Sequence, residues 1–356
     1  MTHTLVVRLD SAGDVLVAGP AVRAVAAAST RVTLLAGPQG ADAAALLPGV
    51  DDVLVWRCPW IVADPDPVDP DDVDRLVRRL RGLGVDRALV LTSFHQSPLP
   101  TALLLRMAGV PWVGAISEDY PGALLDLRHR VDDLLPEPER ALSLALAAGC
   151  TLPDEDDGLL AVRRPLPDVD HLLPDGPFVV LHPGTSVPAR AWPPASFARA
   201  AAALTATGRR VVVTGAPGEA ALTASVCAGT PAVDLGGRTG LDGLAAVLAA
   251  ADVVVVANTG PAHLAAAVRT PVVSLFAPTV PARRWAPYGV PSVVLGDQHA
   301  PCRDTRATTC PVPGHPCLTS VGADDVLAAV ERLCPRPAPA GVGGPAATPL
   351  EEGARP

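Results

Sequence analysis

Short runs of Val, Leu and Ile recur along this chain and alternate with longer stretches in which apolar residues return at helical spacing. Uninterrupted apolar runs are typical of strands that are buried on both faces of a parallel sheet. The alternation of such strands with helices predicts an α/β fold with helices on both faces of the sheet. The predicted strands are residues 5–9, 32–35, 53–56, 88–92, 112–114, 178–181, 211–214, 232–235, 253–256, 272–276 and 293–295.

The stretches between these strands predict helices, and one of them contains a local break. Gly19 and Pro20 fall within the pattern of residues 15–28, where they sit in the early turns or kink the helix. Residues 126–133 are polar and predict a loop. The other predicted helices are residues 41–47, 73–83, 103–108, 137–148, 195–207, 219–228, 241–250, 263–269 and 323–333.

The strand and helix rhythm occurs twice, and a stretch rich in Asp and Pro with little periodicity separates the two series. This pattern predicts two Rossmann-like domains that face each other across a cleft. The first domain is residues 1–150 and the second is residues 178–334, with a linker over residues 151–177. Residues 335–356 are rich in Pro, Gly and Ala, a composition typical of a disordered tail.

Composition narrows the classes of protein to which the chain can belong. Its 356 residues carry a net charge of −9, which argues against a nucleic-acid-binding protein with the usual basic stripe. No apolar run reaches the roughly 18–20 residues that span a bilayer. The N-terminus leads into the first strand without a basic and apolar leader, so we expect a cytoplasmic protein. In that compartment the 7 cysteines indicate thiols and not a disulfide framework.

Three turns follow predicted strands and precede predicted helices, at the strand ends where open α/β sheets bind ligands. In the first turn, residues 10–14, small residues leave room for a substrate, and Asp14 lies at the start of the next helix. A carboxylate in this position can accept a proton from an attacking hydroxyl group. It can also cap the helix, and spacing alone leaves both roles open. His95 follows the strand at residues 88–92 and lies at the same edge of its sheet.

The second turn, residues 182–186, offers donors that suit phosphate oxygens. Thr185 and Ser186 supply hydroxyl and backbone N–H groups, and Arg190 supplies a fork of guanidinium donors a few residues later. An ordinary surface loop with one solvated arginine has the same composition, so both interpretations stay open.

The third turn, residues 258–261, reads Asn-Thr-Gly-Pro between a buried strand and a helix. Thr259 is a favourable N-cap, Gly260 permits close approach to the backbone, and Pro261 suits the first helical turn. The free N–H groups of such a helix start can bind an anion. His263 lies three residues after Gly260 and is either a packed core histidine or a ligand-binding residue.

Signals for other chemistries are absent or weak. The sequence has no GxGxxG fingerprint after the first strand of either predicted domain, no P-loop, no HExxH and no serine nucleophile elbow. Acidic residues 64–74 are either carboxylate ligands for a divalent cation or a solvated loop before a helix. Cys302, Cys310 and Cys317 could bind zinc, but without a CxxC pair free thiols are favoured.

Segments along most of the chain together resemble one known family. In chain order they are SAGDVLVAGPAVRAV, HPGTSVPARAWP, VTGAPGE and DLGGRTGLDGLAAVLAAADVVVVANTGPAHLAAAVRTPVVSLFAPT, followed by a segment that contains cysteines. The chain resembles glycosyltransferase family 9, the ADP-heptose:lipopolysaccharide heptosyltransferases. The resemblance covers residues 4–333.

The resemblance implies a GT-B fold, in which the N-terminal domain takes the acceptor and the C-terminal domain takes the nucleotide-sugar. It implies inverting, metal-independent transfer of a heptose-like or other sugar from a nucleotide diphosphate, expected to be ADP-linked, to a hydroxyl group of a glycan or glycolipid. The nucleotide-sugar is then a substrate, and no cofactor or metal is expected. We expect no nucleic-acid partner, and a peripheral contact with the cytoplasmic face of the inner membrane stays open.

The resemblance also implies roles for single residues. Asp14 matches the proposed general base, and we expect burial near a second anion to raise its pKa. Asn258 stands where the family usually has Asp, so the charge is lost and the identity of the sugar stays open; Arg190 stands for a Lys. The implied donor-binding residues are Thr185, Ser186, Arg190, Glu219, Asn258, Thr259, Gly260 and His263, with Gly13 and His95 on the acceptor side.

Two other functions fit the same fold. A GT-B nucleotide-sugar epimerase would turn over the nucleotide-sugar with no acceptor present. A non-catalytic nucleotide-sugar-binding protein would bind without turnover, although the retained Asp14 turn argues against it.

Overall fold

The computed structural model of the chain describes residues 2–62, 65–132 and 135–335. Within these ranges the chain forms two parallel sheets of six strands each, so the predicted α/β architecture is confirmed. We call residues 2–150 the first half and residues 178–335 the second half. The tail predicted over 335–356 lies outside the described residues except for Pro335, and so does Asp64 of the acidic stretch.

The first sheet has the strand order β3-β2-β1-β4-β5-β6. Residues 126–133, predicted as a loop, contain the short edge strand β6, which pairs with β5 from Gly114 opposite Leu127 to Ile116 opposite His129. A three-residue edge strand needs no apolar run, so the pattern did not reveal it. The strands are β1 (His3–Arg8), β2 (Arg31–Ala36), β3 (Asp52–Val55), β4 (Arg87–Val90), β5 (Trp112–Ile116) and β6 (Leu127–His129).

The second sheet repeats this order in its own six strands, as β12-β11-β10-β7-β8-β9. In each half the first and fourth strands are neighbours, and the chain direction across the sheet reverses between them. That switch point is where doubly wound sheets bind ligands. The strands are β7 (Phe178–His182), β8 (Arg210–Gly215), β9 (Val233–Gly236), β10 (Val253–Ala257), β11 (Val272–Leu275) and β12 (Ser292–Leu295).

Most helices fall where the pattern predicts them, but residues 15–28 form parts of two helices that meet at Ala18, because Gly19 and Pro20 start a new helix. Two four-residue helices, α11 and α12, are too short to show a period. The helices are α1 (Ala12–Val17), α2 (Gly19–Ala27), α3 (Ala41–Leu46), α4 (Pro70–Leu83), α5 (Leu99–Met107), α6 (Glu137–Ala147), α7 (Pro194–Ala206), α8 (Ala220–Cys227), α9 (Leu241–Ala250), α10 (Gly260–Ala267), α11 (Ala282–Trp285), α12 (Pro316–Thr319) and α13 (Ala323–Leu333).

The acidic stretch before α4 has local structural roles. Asp69 caps α4 by accepting a hydrogen bond from the Asp71 N–H at 2.9 Å. Asp72 accepts one from the Trp56 indole at 2.7 Å. These bonds favour the interpretation of a helix start over that of a cation site.

Three apolar clusters hold the two sheets and their helices. Successive residues of β1 face opposite ways, so Val6 joins one cluster while Leu5 and Val7 join another. On β7, Val180 joins the same cluster as Val6. That shared cluster therefore runs through both halves of the molecule, and burial of apolar surface holds them together.

The segment between the halves is bound to both of them. Asp156 pairs with Arg23 of α2 at 2.6 Å, and Asp157 pairs with Arg269 of the second half at 2.8 Å. Residues 151–177 contain one 3₁₀ turn, Asp170–Leu172, as the only helix or strand described there. In the part of the chain that the structure describes, no helix has the length and apolar character required to cross a membrane.

Candidate active site

The two switch points face each other where the first turn of α1 meets the first turn of α10. A Cβ atom added to Gly13 would lie 3.1 Å from the His263 ring and 3.2 Å from the Gly260 Cα atom. Gly13 has no side chain to hold the helices apart, so the two backbones approach closely. The first and third predicted turns therefore belong to one site between the halves.

Asp14 lies at this contact, in the third residue of α1. Its Oδ2 atom accepts hydrogen bonds from the Ser11 hydroxyl at 2.6 Å and from the Ser11 N–H at 3.2 Å, as an acid at this helix position does in a capping box. Its side chain is 18% exposed, so it is not completely buried at the contact between the halves. The geometry thus shows the capping role and leaves the Asp14 side chain partly accessible.

Arg8, the last residue of β1, holds the other carboxylate oxygen. The Arg8 side chain is 2% exposed and lies 3.1 Å from both Asp14 Oδ1 and Asp10 Oδ2. It also donates to the Ser93 hydroxyl, beyond β4, at 3.0 Å. Arg8 was not predicted as a site residue, because one arginine in the run LVVRL gives no sign that it turns inward.

The expectation that burial raises the pKa of Asp14 is wrong. Burial acts in that direction, but Arg8, the Ser11 hydroxyl and His263 outweigh it and hold the pKa below its ordinary value. The neighbouring Asp10 shows the opposite result, since burial raises its pKa to about 6 against the opposing charge of Arg8. Asp14 is therefore an ionised carboxylate at neutral pH.

His263 lies on the other side of the contact and is 6% exposed. Its Nδ1 atom is buried and has no hydrogen-bond partner among the described residues. Burial lowers the pKa of His263 to about 4, with Asp14 opposing and Arg190 supporting the shift. The imidazole is therefore neutral, and a buried polar atom without a partner at a cleft is a candidate ligand contact.

Arg190 lies beside the start of α10. Its Nη1 donates to the Asn258 carbonyl at 3.2 Å, while its Nε is buried without a hydrogen-bond partner in the described chain. Burial lowers the pKa of Arg190 and Asp14 opposes that shift, so the electrostatic influence of the two residues extends across the cleft. Of the hydroxyl residues in the same loop, Thr185 accepts from the Val187 N–H at 3.3 Å and Ser186 is exposed.

Glu219 ends the 3₁₀ turn that follows β8 and lies next to the loop that follows β7. Its Oε2 accepts a hydrogen bond from the Ala216 N–H at 2.8 Å. A Cβ atom on Gly184 would overlap the Glu219 carboxylate, so this glycine is required for the approach. Glu219 thus lies against the second predicted turn.

The remaining predicted residues lie around this core. Thr259 is the N-cap of α10 but makes no side-chain capping bond. His95 follows β4 with an exposed side chain; partial desolvation and the charge of Arg306 from the second half lower its pKa. The structure therefore brings the first and third predicted turns into contact, with Arg190 bonded to the third turn and His95 within electrostatic range of Asp14.

The segment that contains Cys302, Cys310 and Cys317 is hydrogen-bonded to Ala189, the residue before Arg190. The Ala189 N–H donates to the Thr308 carbonyl at 2.9 Å, and the His315 Nε2 lies 3.0 Å from the Ala189 carbonyl. Within residues 2–62, 65–132 and 135–335, no three His, Cys, Asp or Glu side chains are arranged to hold a metal ion.

A model of glycosyltransferase family 9 (heptosyltransferase) matches residues 73–315, which is more than half of the chain. The chain belongs to this family. Lipopolysaccharide heptosyltransferase 3 of Escherichia coli is 31% identical to it over 181 residues, 49% of this chain and 52% of the relative. The chain spans about half the length of the curated relatives it matches.

Solved structures are similar over nearly the whole length of the chain. The E. coli ADP-heptose lipopolysaccharide heptosyltransferase II has a TM-score of 0.70 at 21% identity and covers 94% of this chain and 98% of its own. The E. coli heptosyltransferase WaaC with ADP-2-deoxy-2-fluoro heptose has a TM-score of 0.69 at 20% identity, covering 93% and 99%. These likenesses confirm the GT-B fold.

Asn258, one of the two residues that the resemblance marks as departures, is bonded inside the second half. It is 5% exposed, its amide nitrogen donates to the Ala277 carbonyl at 3.3 Å, and its amide oxygen accepts from the Ala277 N–H at 3.2 Å. An aspartate side chain could accept from the Ala277 N–H group, but it could not donate to the Ala277 carbonyl. The amide therefore links the end of β10 to the end of β11, and this contact explains why Asn suits the position.

We expect Asn258→Asp to lower the free energy of unfolding by about 1–3 kcal/mol, because a carboxylate leaves the Ala277 carbonyl without its donor. Chemical denaturation at pH 7 measures the loss. Gln39→Glu makes the same amide-to-acid change at an exposed position and is the matched control. Equal stability of the Asn258→Asp variant and the wild type would show that the paired bond has no energetic role.

We expect the His263 ring to stay neutral at pH 7 and to take up a proton only near pH 4, because burial and Arg190 oppose a positive charge. An NMR titration of the histidine ring protons measures this midpoint, and His263→Gln identifies the signal. A midpoint near the ordinary histidine value of about 6.5 would contradict the buried, neutral imidazole.

Proposed function

We propose that this protein is an inverting, metal-independent glycosyltransferase. It moves a heptose-like sugar from a nucleotide diphosphate, ADP-linked as in the donor named for its relatives, to a hydroxyl group of a glycan or glycolipid. The first half takes the acceptor and the second half takes the donor.

One observation carries the proposal: the Asp14 turn lies directly against the first turn of α10, through Gly13 and Gly260. Acid–base catalysis needs the base within reach of the reacting hydroxyl group. Leaving-group departure needs positive groups at the diphosphate. This contact puts both on opposite walls of one cleft, which supports transfer between a donor and an acceptor.

The second half has the groups that a departing nucleotide diphosphate requires. Negative charge grows on the diphosphate as the glycosidic bond breaks, and the N–H groups at the start of α10 favour an anion there. Arg190 adds a full positive charge beside the same turn, and its buried Nε has a free hydrogen-bonding position. His263 offers its Nδ1 atom without adding charge. These groups stabilise the leaving group without a metal ion.

The first half has the base. Asp14 is ionised, and Arg8 and Ser11 hold it in one orientation. As the acceptor oxygen attacks the anomeric carbon, its proton passes to the Asp14 carboxylate. The base and the diphosphate lie on opposite walls, so the acceptor attacks from the side opposite the leaving group and the anomeric configuration inverts.

The relatives support a heptose as the sugar. Their names specify ADP-heptose or lipopolysaccharide heptosyltransferase activity. The loss of the family's Asp at residue 258 gives no argument against this sugar, since the Asn258 side chain is bonded to the Ala277 backbone.

We expect Asp14→Ala to lower the transfer rate by at least about 100-fold, because the base is lost. ADP should still bind, because the groups of the second half that face the diphosphate are unchanged. The assay follows ADP release from ADP-heptose with heptose-deficient lipopolysaccharide as acceptor, and calorimetry measures ADP binding. Asp42→Ala is the matched control, an exposed aspartate in the first turn of α3.

A fully active Asp14→Ala enzyme would contradict the assignment of the base. Turnover of ADP-heptose at the same rate with no acceptor would favour an epimerase over a transferase. Binding of ADP-heptose without turnover in the wild type would favour a non-catalytic binding protein.

A further inference from the structure

A second set of buried charges lies within electrostatic range of Asp14 and crosses between the halves. Glu137 is the first residue of α6 and its side chain is 2% exposed. Its Oε2 lies 3.9 Å from Arg140 of the same helix, and its Oε1 lies 4.0 Å from Arg284. Arg284 belongs to α11 in the second half, so the pair of Glu137 and Arg284 joins the two halves.

Arg284 has a further contact with the first half. Its guanidinium carbon lies 4.3 Å from the centre of the Phe94 ring, within the range of a cation–π interaction. Phe94 comes directly after Ser93, whose hydroxyl accepts a hydrogen bond from Arg8. Arg284 therefore contacts the loop after β4 that also helps to hold Arg8.

Cations from both halves lie among the buried carboxylates of this region. Among the described residues, Asp10, Asp14 and Glu137 of the first half lie beside Arg8 and Arg140, and Arg284 adds a cation from the second half. A buried carboxylate without a compensating cation is costly. Burial raises the pKa of Glu137, and Arg8, Arg140 and Arg284 oppose that shift.

We propose that Arg284 is a positioning residue that balances the buried carboxylates of the first half when the halves close, and so holds Asp14 against the start of α10. It acts through Glu137 and Phe94 and does not touch the reacting atoms. Its effect on transfer rests on the proposed function, whereas its effect on closure does not.

The test compares Arg284→Gln, which removes the charge, with Arg284→Lys, which keeps it. Arg283→Gln is the matched control, because Arg283 is the exposed neighbour on the same short helix. Three measurements are made on the full chain: kcat and KM with ADP-heptose and heptose-deficient lipopolysaccharide, ADP binding by calorimetry, and the radius of gyration by small-angle X-ray scattering.

For Arg284→Gln we expect kcat to fall about tenfold, because the two halves no longer close fully on each other. The Kd for ADP should stay within about twofold, because the residues of the second half proposed to bind the diphosphate are unchanged. The radius of gyration of this variant should exceed that of the wild type. Arg284→Lys should recover most of the kcat, and Arg283→Gln should match the wild type in all three measurements.

Wild-type kcat and an unchanged radius of gyration in Arg284→Gln would overturn the proposal, and so would an equal loss in Arg283→Gln. If the wild type transfers no sugar, the proposed function fails, yet the scattering comparison still decides whether Arg284 holds the halves closed.

If Arg284→Gln does not fold, Phe94→Leu weakens the same contact without burying a new charge. The expanded radius is then expected in Phe94→Leu, and an unchanged radius would overturn the proposal.

Discussion

The arrangement of this molecule depends on the contact between the first turns of α1 and α10, where Gly13 lies against Gly260 and His263. The backbones meet at this distance because Gly13 carries no side chain, since a Cβ atom there would crowd the His263 ring and the Gly260 Cα atom. Each turn follows a strand at the switch point of its sheet, β1 in one half and β10 in the other. The contact therefore turns two separate ligand-binding edges into the two walls of one cleft.

Burial at this contact has opposite consequences for groups with and without a partner of opposite charge. Asp14 keeps its charge, because Arg8 lies 3.1 Å away and outweighs desolvation. His263 stays neutral, because burial dominates and Arg190 adds to it. The first half thus holds an ionised carboxylate, which suits removal of a proton. The second half holds a neutral imidazole, which can form a hydrogen bond beside a bound anion.

The sequence predicts what is local and periodic, and it misses what depends on distant pairs. Apolar runs such as 253–256 place the strands, and the small residues after them place Asp14 and Gly260 at strand ends. Arg284 was not predicted, because α11 is too short for a period and its partners lie in the other half. The pairing of Asn258 with Ala277 was missed because it joins two strands that only the folded sheet brings together.

The most direct test of the account is a disulfide across the contact. A Cβ atom placed on Gly260 would lie 3.9 Å from the Ala12 Cβ, within the range that a disulfide bridges. If α1 and α10 meet at this point, Ala12→Cys with Gly260→Cys forms this crosslink under mild oxidation, as detected by peptide mass spectrometry. Ala12→Cys with Gly218→Cys, at a position with no neighbour within 4 Å, should not form one. Equal yields from the two pairs would contradict the claim that α1 and α10 meet at this point.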